Sequence, residues 1–158
     1  MKTARPDGQV VALSGGIGGA KLALGLARQL APEQLTIACN TGDDFEHLGL
    51  SISPDLDTVM YTLAGINHPE QGWGLADESW RVMQRIEALG GPAWFRLGDL
   101  DLATHLYRSQ RLREGASLSQ VTLELCARLD VAAAIVPASD DRVQHRPLGG
   151  GQPRDRDP

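Results

Sequence analysis

An α/β fold built around a parallel sheet is what this 158-residue sequence predicts, and three observations carry that expectation. Val10-Val11-Ala12-Leu13 is a short unbroken apolar run between Gly8 and Gly15, as a strand inside a parallel sheet requires. Four glycines, Gly15, Gly16, Gly18 and Gly19, follow at once and read as a sharp strand-to-helix turn. Leu35 to Cys39 then reads as a second strand, closing a β-loop-α-β unit whose connection should be right-handed. The architecture expected is a Rossmann-like parallel sheet with helices on both faces.

The elements follow in order. A helix is expected from Ala20 to Leu30, with Leu22, Leu26, Ala27 and Leu30 on its inner face and Pro32 beyond its end. Asn40 to Ser53 is rich in Gly, Asp and polar groups and reads as a loop. Ser53-Pro54-Asp55 is a strong helix start, with serine as cap, proline in the first turn and aspartate at the positive end. That helix should reach Ala64 and stop at Gly65. A helix is expected from Asp77 to Leu89, with Trp80, Met83, Ile86 and Leu89 inward and Gly90-Gly91 ending it. Another should span Asp101 to Arg113. Ser117-Leu118-Ser119-Gln120 fits a capping box and opens the last helix. Ala132 to Val136 reads as a later strand, and no internal repeat is visible.

Composition narrows the function classes. Hydrophobic residues make up 42% and charged residues 22%, enough for one packed core. A net charge of −5 argues against a nucleic-acid partner, which phosphate neutralisation would make basic. Cys39 and Cys126 lie in unrelated apolar runs with no zinc spacing, so both are expected to be buried reduced thiols. Met1 to Gln9 is polar and contains Pro6, unlike a signal peptide, and no uninterrupted apolar run could span a bilayer. A cytoplasmic protein with no membrane partner is the expectation. Residues 1–9 should be flexible. Residues 145–158, almost free of apolar side chains, should be a disordered tail.

Four segments could carry chemistry. Gly15, Gly16, Gly18 and Gly19 with Lys21 place a glycine turn, a helix N-terminus and a cation together, which suits a phosphate or nucleotide. The alternative is a structural turn. Lys21 lies between Ala20 and Leu22, so the Gly-Lys-Ser/Thr of nucleoside triphosphatases is absent. The dinucleotide fingerprint also fails, and Asn40 stands where a ribose-binding acid belongs, which sets aside an oxidoreductase. Asp43 and Asp44 follow the second strand, where loops line a ligand crevice, and could hold magnesium through oxygen. A solvated acidic turn explains them equally well. Asp55 and Asp57 open a helix; capping suffices for Asp55, and Asp57 is the better site candidate. In Trp94 to His105, Phe95 and Leu97 could anchor the segment and leave Arg96 projecting the other way. Asp99, Asp101 and His105 cluster near a helix start, with a structural histidine as the plainer reading.

Taken in order, SGGIGGAKL, NTGDDFEHLGL, ISPDLDTVMYTLAGI, GWGL, WFRLGDLDLATHLYR, LREGASLSQVT and IVPASDD resemble the 2-phospho-L-lactate transferases from about Val10 to Val143. The resemblance implies transfer of a phospholactyl group from a guanosine diphosphate-linked donor to the ribityl hydroxyl of the deazaflavin FO, with release of GMP, in coenzyme F420 biosynthesis. Bacterial members use an enolpyruvyl donor, and these motifs do not separate the two. The family's deazaflavin contacts fall on Asp57 and Arg96. Magnesium is implied as cofactor, with Asp43, Asp44 and Asp57 as its candidate ligands and as the candidate catalytic carboxylates. A homodimer is the assembly expected. Family members continue past the PASDD region for about as much chain again, so residues 10–144 are expected to be the N-terminal part of a truncated transferase domain. A non-catalytic deazaflavin- or nucleotide-binding fragment is the alternative.

Overall fold

A computed structural model describes residues 8–141. Most of the expected flexible start and all of the expected tail at 145–158 lie outside the described residues. Strand β1 (Val10–Ser14), helix α1 (Gly16–Ala27) and β2 (Leu35–Cys39) form the predicted unit, with a 3-10 turn at Pro32–Gln34 before β2. The helix starts four residues before its predicted position, because Gly18 and Gly19 belong to it. A Cβ on Gly19 would lie 3.0 Å from the Ser14 Cα, so only glycine lets the helix approach β1 this closely. The inner face of α1 is Ala20 and Ala23, with Leu26, Ala27 and Leu30 against its rim, whereas the predicted inward Leu22 is 55% exposed.

The expected loop after β2 contains an antiparallel hairpin, β3 (Phe45–His47) and β4 (Leu50–Ile52). Leu48 and Gly49 both have positive φ, 53° and 72°, which gives the two-residue turn that right-twisted strands prefer. Helix α2 (Pro54–Ala64) then starts and stops as predicted, with Gly65 left-handed at φ 71°. Ser53 does not cap it; its hydroxyl donates to Asp44 Oδ2 at 2.8 Å. Every residue from Asp55 to Thr62 is buried, so α2 is wrapped on all sides.

Helix α3 (Arg81–Ala88) is shorter than predicted because Asp77, its expected start, has φ 58°. Met83 is buried and Ile86 packs beside it, but Leu89 is 71% exposed. Helix α4 (Asp99–Arg113) begins two residues early, and it exchanges caps with α3 and the segment just before it. The Asp99 carboxylate accepts from the Arg81 and Val82 amides at 3.2 and 3.1 Å, while Glu78 accepts from the Leu100 and Asp101 amides at 2.9 and 2.7 Å. Helix α5 (Leu118–Arg128) opens with the predicted capping box. Strand β5 (Ala134–Pro137) completes a parallel sheet in the order β1-β2-β5.

The sheet and its class agree with the sequence, and among the described residues its helices cover one face. Ala12, Leu35, Ile37, Cys39 and Ile135 point into a core closed by α1, α2 and α5. Val11 and Leu13 point the other way and are 64% and 80% exposed. A second apolar cluster, with Leu50, Ile52, Met83 and Leu97 buried, joins the hairpin to α3 and the segment before α4. Both cysteines are free and buried, and burial pushes the Cys39 thiol up to about 12 and Cys126 up to about 11. No helix among the described residues is long and apolar enough to cross a membrane.

Candidate functional site

Three of the four predicted segments meet at the carboxyl ends of β1 and β2, where a parallel sheet offers its crevice. Asp55 ties them together. Its Oδ1 accepts from the Gly16 amide at 2.8 Å, and its Oδ2 accepts from Asn40 Nδ2 at 2.9 Å. The same Asn40 nitrogen donates to Asp43 Oδ2 at 2.9 Å. Asp55 therefore supplies its negative charge to the first amide of α1, a neighbouring helix, rather than capping only its own. A Cβ on Gly15 would lie 3.2 Å from Asp55 Oδ2, so the glycine leaves room for this clasp. Gly16 has φ 60°, Gly18 faces solvent, and Lys21 is exposed on the second turn of α1.

Asp43 is exposed and Asp44 is half-buried. Burial raises the Asp44 carboxyl to about 6, and the charges of Asp57 and Asp55 push the same way against the Ser53 hydroxyl bond and Arg108. Its Oδ2 accepts from Ser53, whereas its Oδ1 is buried with no hydrogen-bond partner among the described residues. A desolvated carboxylate oxygen without a donor is suited to a hard cation.

Asp57 is engaged differently. The Arg108 guanidinium grips it from both sides: Nη1 donates to Oδ2 at 3.1 Å and Nη2 donates to Oδ1. Arg108 is 1% exposed and Asp57 5%, so this ion pair is almost wholly inside the protein, with a small part of the Asp57 side chain still accessible. Nη1 also lies 3.5 Å from the Ser51 carbonyl and 3.2 Å from His105 Nδ1. Burial alone would lower the Arg108 pKa, but the Asp57 charge and hydrogen bonds outweigh it and raise it. Beyond His105, whose Nε2 lies 3.2 Å from Asp101 Oδ2 without full hydrogen-bond alignment, Asp101 Oδ1 accepts from the Tyr61 hydroxyl at 2.7 Å. Burial would raise Asp101, yet the neighbouring His105 ring, the Tyr61 hydroxyl bond and the Arg108 charge hold it below the usual carboxylate range.

Asp57, Asp101 and His105 bring their ligand atoms within 4.8 Å of one another, as a metal site would. The Arg108 guanidinium already supplies the positive charge there, in contact with both Asp57 and His105. A second cation would sit against it. Arg108 and Tyr61 were not found from the sequence, since a helix-interior arginine and a tyrosine among apolar residues carry no motif. The i,i+4 spacing of Asp101 and His105 with Arg108 three residues on was the available signal.

Arg96 stands apart. It is exposed, with its guanidinium carbon 4.4 Å from the centre of the Trp80 ring, and shares no hydrogen bond or ion pair with Asp57 among the described residues. Beside it Phe45, Trp94 and Phe95 form an aromatic group with the buried His47, whose pKa burial lowers. A separate cavity of about 250 Å³ lies at the amino ends of β2 and β5, lined by Leu24, Leu35, Leu63 and Val131, away from all these groups.

The profile of the family described as 2-phospho-L-lactate transferase CofD matches residues 10–147. A protein of Kitasatospora aureofaciens named phosphoenolpyruvate transferase is 54% identical over 138 residues, which cover 86% of this chain and 43% of that protein. Proteins of the same name from Streptomyces coelicolor and Mycobacterium bovis are 50% and 45% identical, over 86% of this chain and 43% and 45% of theirs. The chain thus spans less than half the length of these curated relatives.

Proposed function

The chain belongs to the 2-phospho-L-lactate transferase family, and on that premise we propose that it carries the metal and acceptor side of an enolpyruvyl-phosphate transfer in coenzyme F420 biosynthesis. The donor is a guanosine diphosphate-linked phosphoenolpyruvyl group, the acceptor is a hydroxyl of the deazaflavin FO, and GMP leaves. The relatives' names favour the enolpyruvyl over the phospholactyl donor. A reducing, cytoplasmic setting suits two free buried thiols.

The observation that carries the reading is the unpartnered Asp44 oxygen at the meeting point of the glycine turn, the acidic loop and α2. Asp44, with Asp43 beside it, would hold magnesium, which when bound neutralises the diphosphate of the donor. Asp57 would accept the reacting hydroxyl on a lone pair that the guanidinium leaves open, fixing its direction without serving as a strong base. The amide of Gly16 is taken by Asp55, so the amides of Ile17 and Gly18, with Lys21, would face the donor's phosphates. Arg96 and the ring beneath it would border the deazaflavin.

The test is a titration of FO fluorescence with the chain, alongside a GMP-release assay with the enolpyruvyl donor and magnesium. FO binding with GMP release that chelation abolishes supports the transferase. FO binding without release supports a binding fragment. With neither, the assignment to this chain fails.

A further inference from the structure

We infer that Arg108 is a positioning residue for the proposed transfer: backed by a network that runs through His105 and Asp101 to Tyr61, it fixes the direction in which the Asp57 carboxylate meets the acceptor hydroxyl. The inference rests on the reading of Asp57 given above and assigns a task to the groups behind it.

A lone carboxylate turns easily about its last torsion, which is broad and twofold. The planar fork of a guanidinium stops that turn when it holds both oxygens. Arg108 does this to Asp57, with Nη1 on Oδ2 at 3.1 Å and Nη2 on Oδ1. Each oxygen keeps a second lone pair. Asp57 lies in the first turn of α2, with a small part of its side chain accessible. A group that reaches it there meets a carboxylate whose plane is already set.

Arg108 is itself held. Nη1 also lies 3.5 Å from the Ser51 carbonyl on β4 and 3.2 Å from His105 Nδ1. A guanidinium only donates, so Nδ1 is the acceptor and the His105 ring proton sits on Nε2. Nε2 faces Asp101 Oδ2 at 3.2 Å, and Asp101 Oδ1 accepts the Tyr61 hydroxyl at 2.7 Å. Tyr61 stands one turn beyond Asp57 on α2, and Asp101, His105 and Arg108 follow one another along α4. The network therefore closes a ring between two helices.

Cohesion does not account for this ring. A buried ion pair is often no more stabilising than apolar residues of the same volume. Arg108 Nε is also buried with no hydrogen-bond partner among the described residues, which adds a cost. An apolar pair would avoid that cost. What only the fork supplies is a carboxylate held in one orientation.

The test titrates FO fluorescence with the chain and its variants. Arg108→Lys keeps the charge, loses the two-point grip and should weaken FO binding roughly tenfold or more. Asp57→Asn should weaken it as well. The double variant should bind no worse than the weaker single, because Arg108 acts through Asp57. His105→Leu removes an acceptor of Nη1 and should also weaken binding. His105→Asn, whose amide oxygen can stand where Nδ1 stands, should recover most of that loss; this pair decides the matter if Arg108→Lys does not fold. In proton–nitrogen correlation spectra of the unliganded chain, His105 should show the Nε2–H tautomer. Arg108 should show separately resolved Nη protons that merge in Asp57→Asn. If the wild-type chain binds FO and Arg108→Lys binds it as tightly, or if the two effects add, the inference is overturned while the reading of Asp57 stands. A freely turning guanidinium or an Nδ1–H ring overturns it on geometry alone. If the wild-type chain binds no FO, the reading of Asp57 fails first and the inference falls with it.

Discussion

Replacing Arg108 by methionine keeps much of the side chain's volume and removes the charge that Asp57 faces. Arg108 and Asp57 are 1% and 5% exposed, so the stranded carboxylate cannot turn to solvent. Two charge-assisted hydrogen bonds disappear, and the Ser51 carbonyl loses its contact as well. Breaking a buried pair from one side costs about 3–5 kcal/mol. Against a total stability of about 5–15 kcal/mol this is a large fraction, and the melting temperature should fall by roughly 10 °C. Asp57→Asn leaves an amide oxygen for one Nη and should cost less. The double variant, with no buried charge left, should recover about 2–3 kcal/mol relative to the sum of the singles. Urea unfolding of all four proteins, followed by circular dichroism, measures this coupling. A loss below about 1 kcal/mol for Arg108→Met, or coupling near zero, would refute the claim that the pair is buried and mutually dependent.

Asp44 gives a pH-dependent prediction of opposite sign to an ordinary ion-paired carboxylate. Its folded pKa, about 6, lies above its reference value of 3.8, so the folded state holds the proton more tightly and this group's contribution falls as pH rises across that window. Melting curves in chelator should show Asp44→Asn more stable than the wild type at pH 7 and no more stable near pH 4. Magnesium should raise the wild-type melting temperature at pH 7.5 and leave Asp44→Asn unmoved; equal shifts in both would remove Asp44 from the metal site. Gly19→Ala should destabilise by about 1–3 kcal/mol in urea titrations, since its Cβ meets β1 backbone 3.0 Å away. Ser117→Ala should cost about 1 kcal/mol by the same assay, because Ser117 Oγ accepts from the Gln120 amide at 3.2 Å and the Gln120 side chain accepts in return at 2.8 Å.

What the sequence made legible was local. The Val10 and Leu35 strands, the Pro54 start, the Gly65 stop and the Ser117 box each rest on a few adjacent residues, and each is present in the structure. The misses come from distant partners. Gly18 and Gly19 have poor helix propensity, and they are helical because α1 needs close contact with Ser14. The hairpin escaped notice because Leu48-Gly49 is not the usual Asn-Gly turn, and its leucine takes a positive φ that leucine rarely adopts. Ser53 looked like a cap, but Asp44, nine residues earlier, receives its hydroxyl. Helix α3 begins late because its cap comes from Asp99, eighteen residues beyond Arg81.

The same distinction sorts the acidic residues. The linear reading set Asp55 apart as a cap, but it left Asp43, Asp44 and Asp57 sharing the same candidate roles. The fold separates them through their partners. Asp55 divides its oxygens between the Gly16 amide and Asn40, which makes it the fastener between the glycine turn and the acidic loop. Asp57 is neutralised by a buried guanidinium that also reaches the hairpin at Ser51. Asp43 accepts from Asn40 at the surface. Asp44 alone of the four combines a raised pKa with a buried oxygen that no donor reaches among the described residues. A cation entering this crevice would gain most from that oxygen, because deprotonating Asp44 without it leaves a desolvated charge, whereas Asp55 and Asp57 already have theirs satisfied.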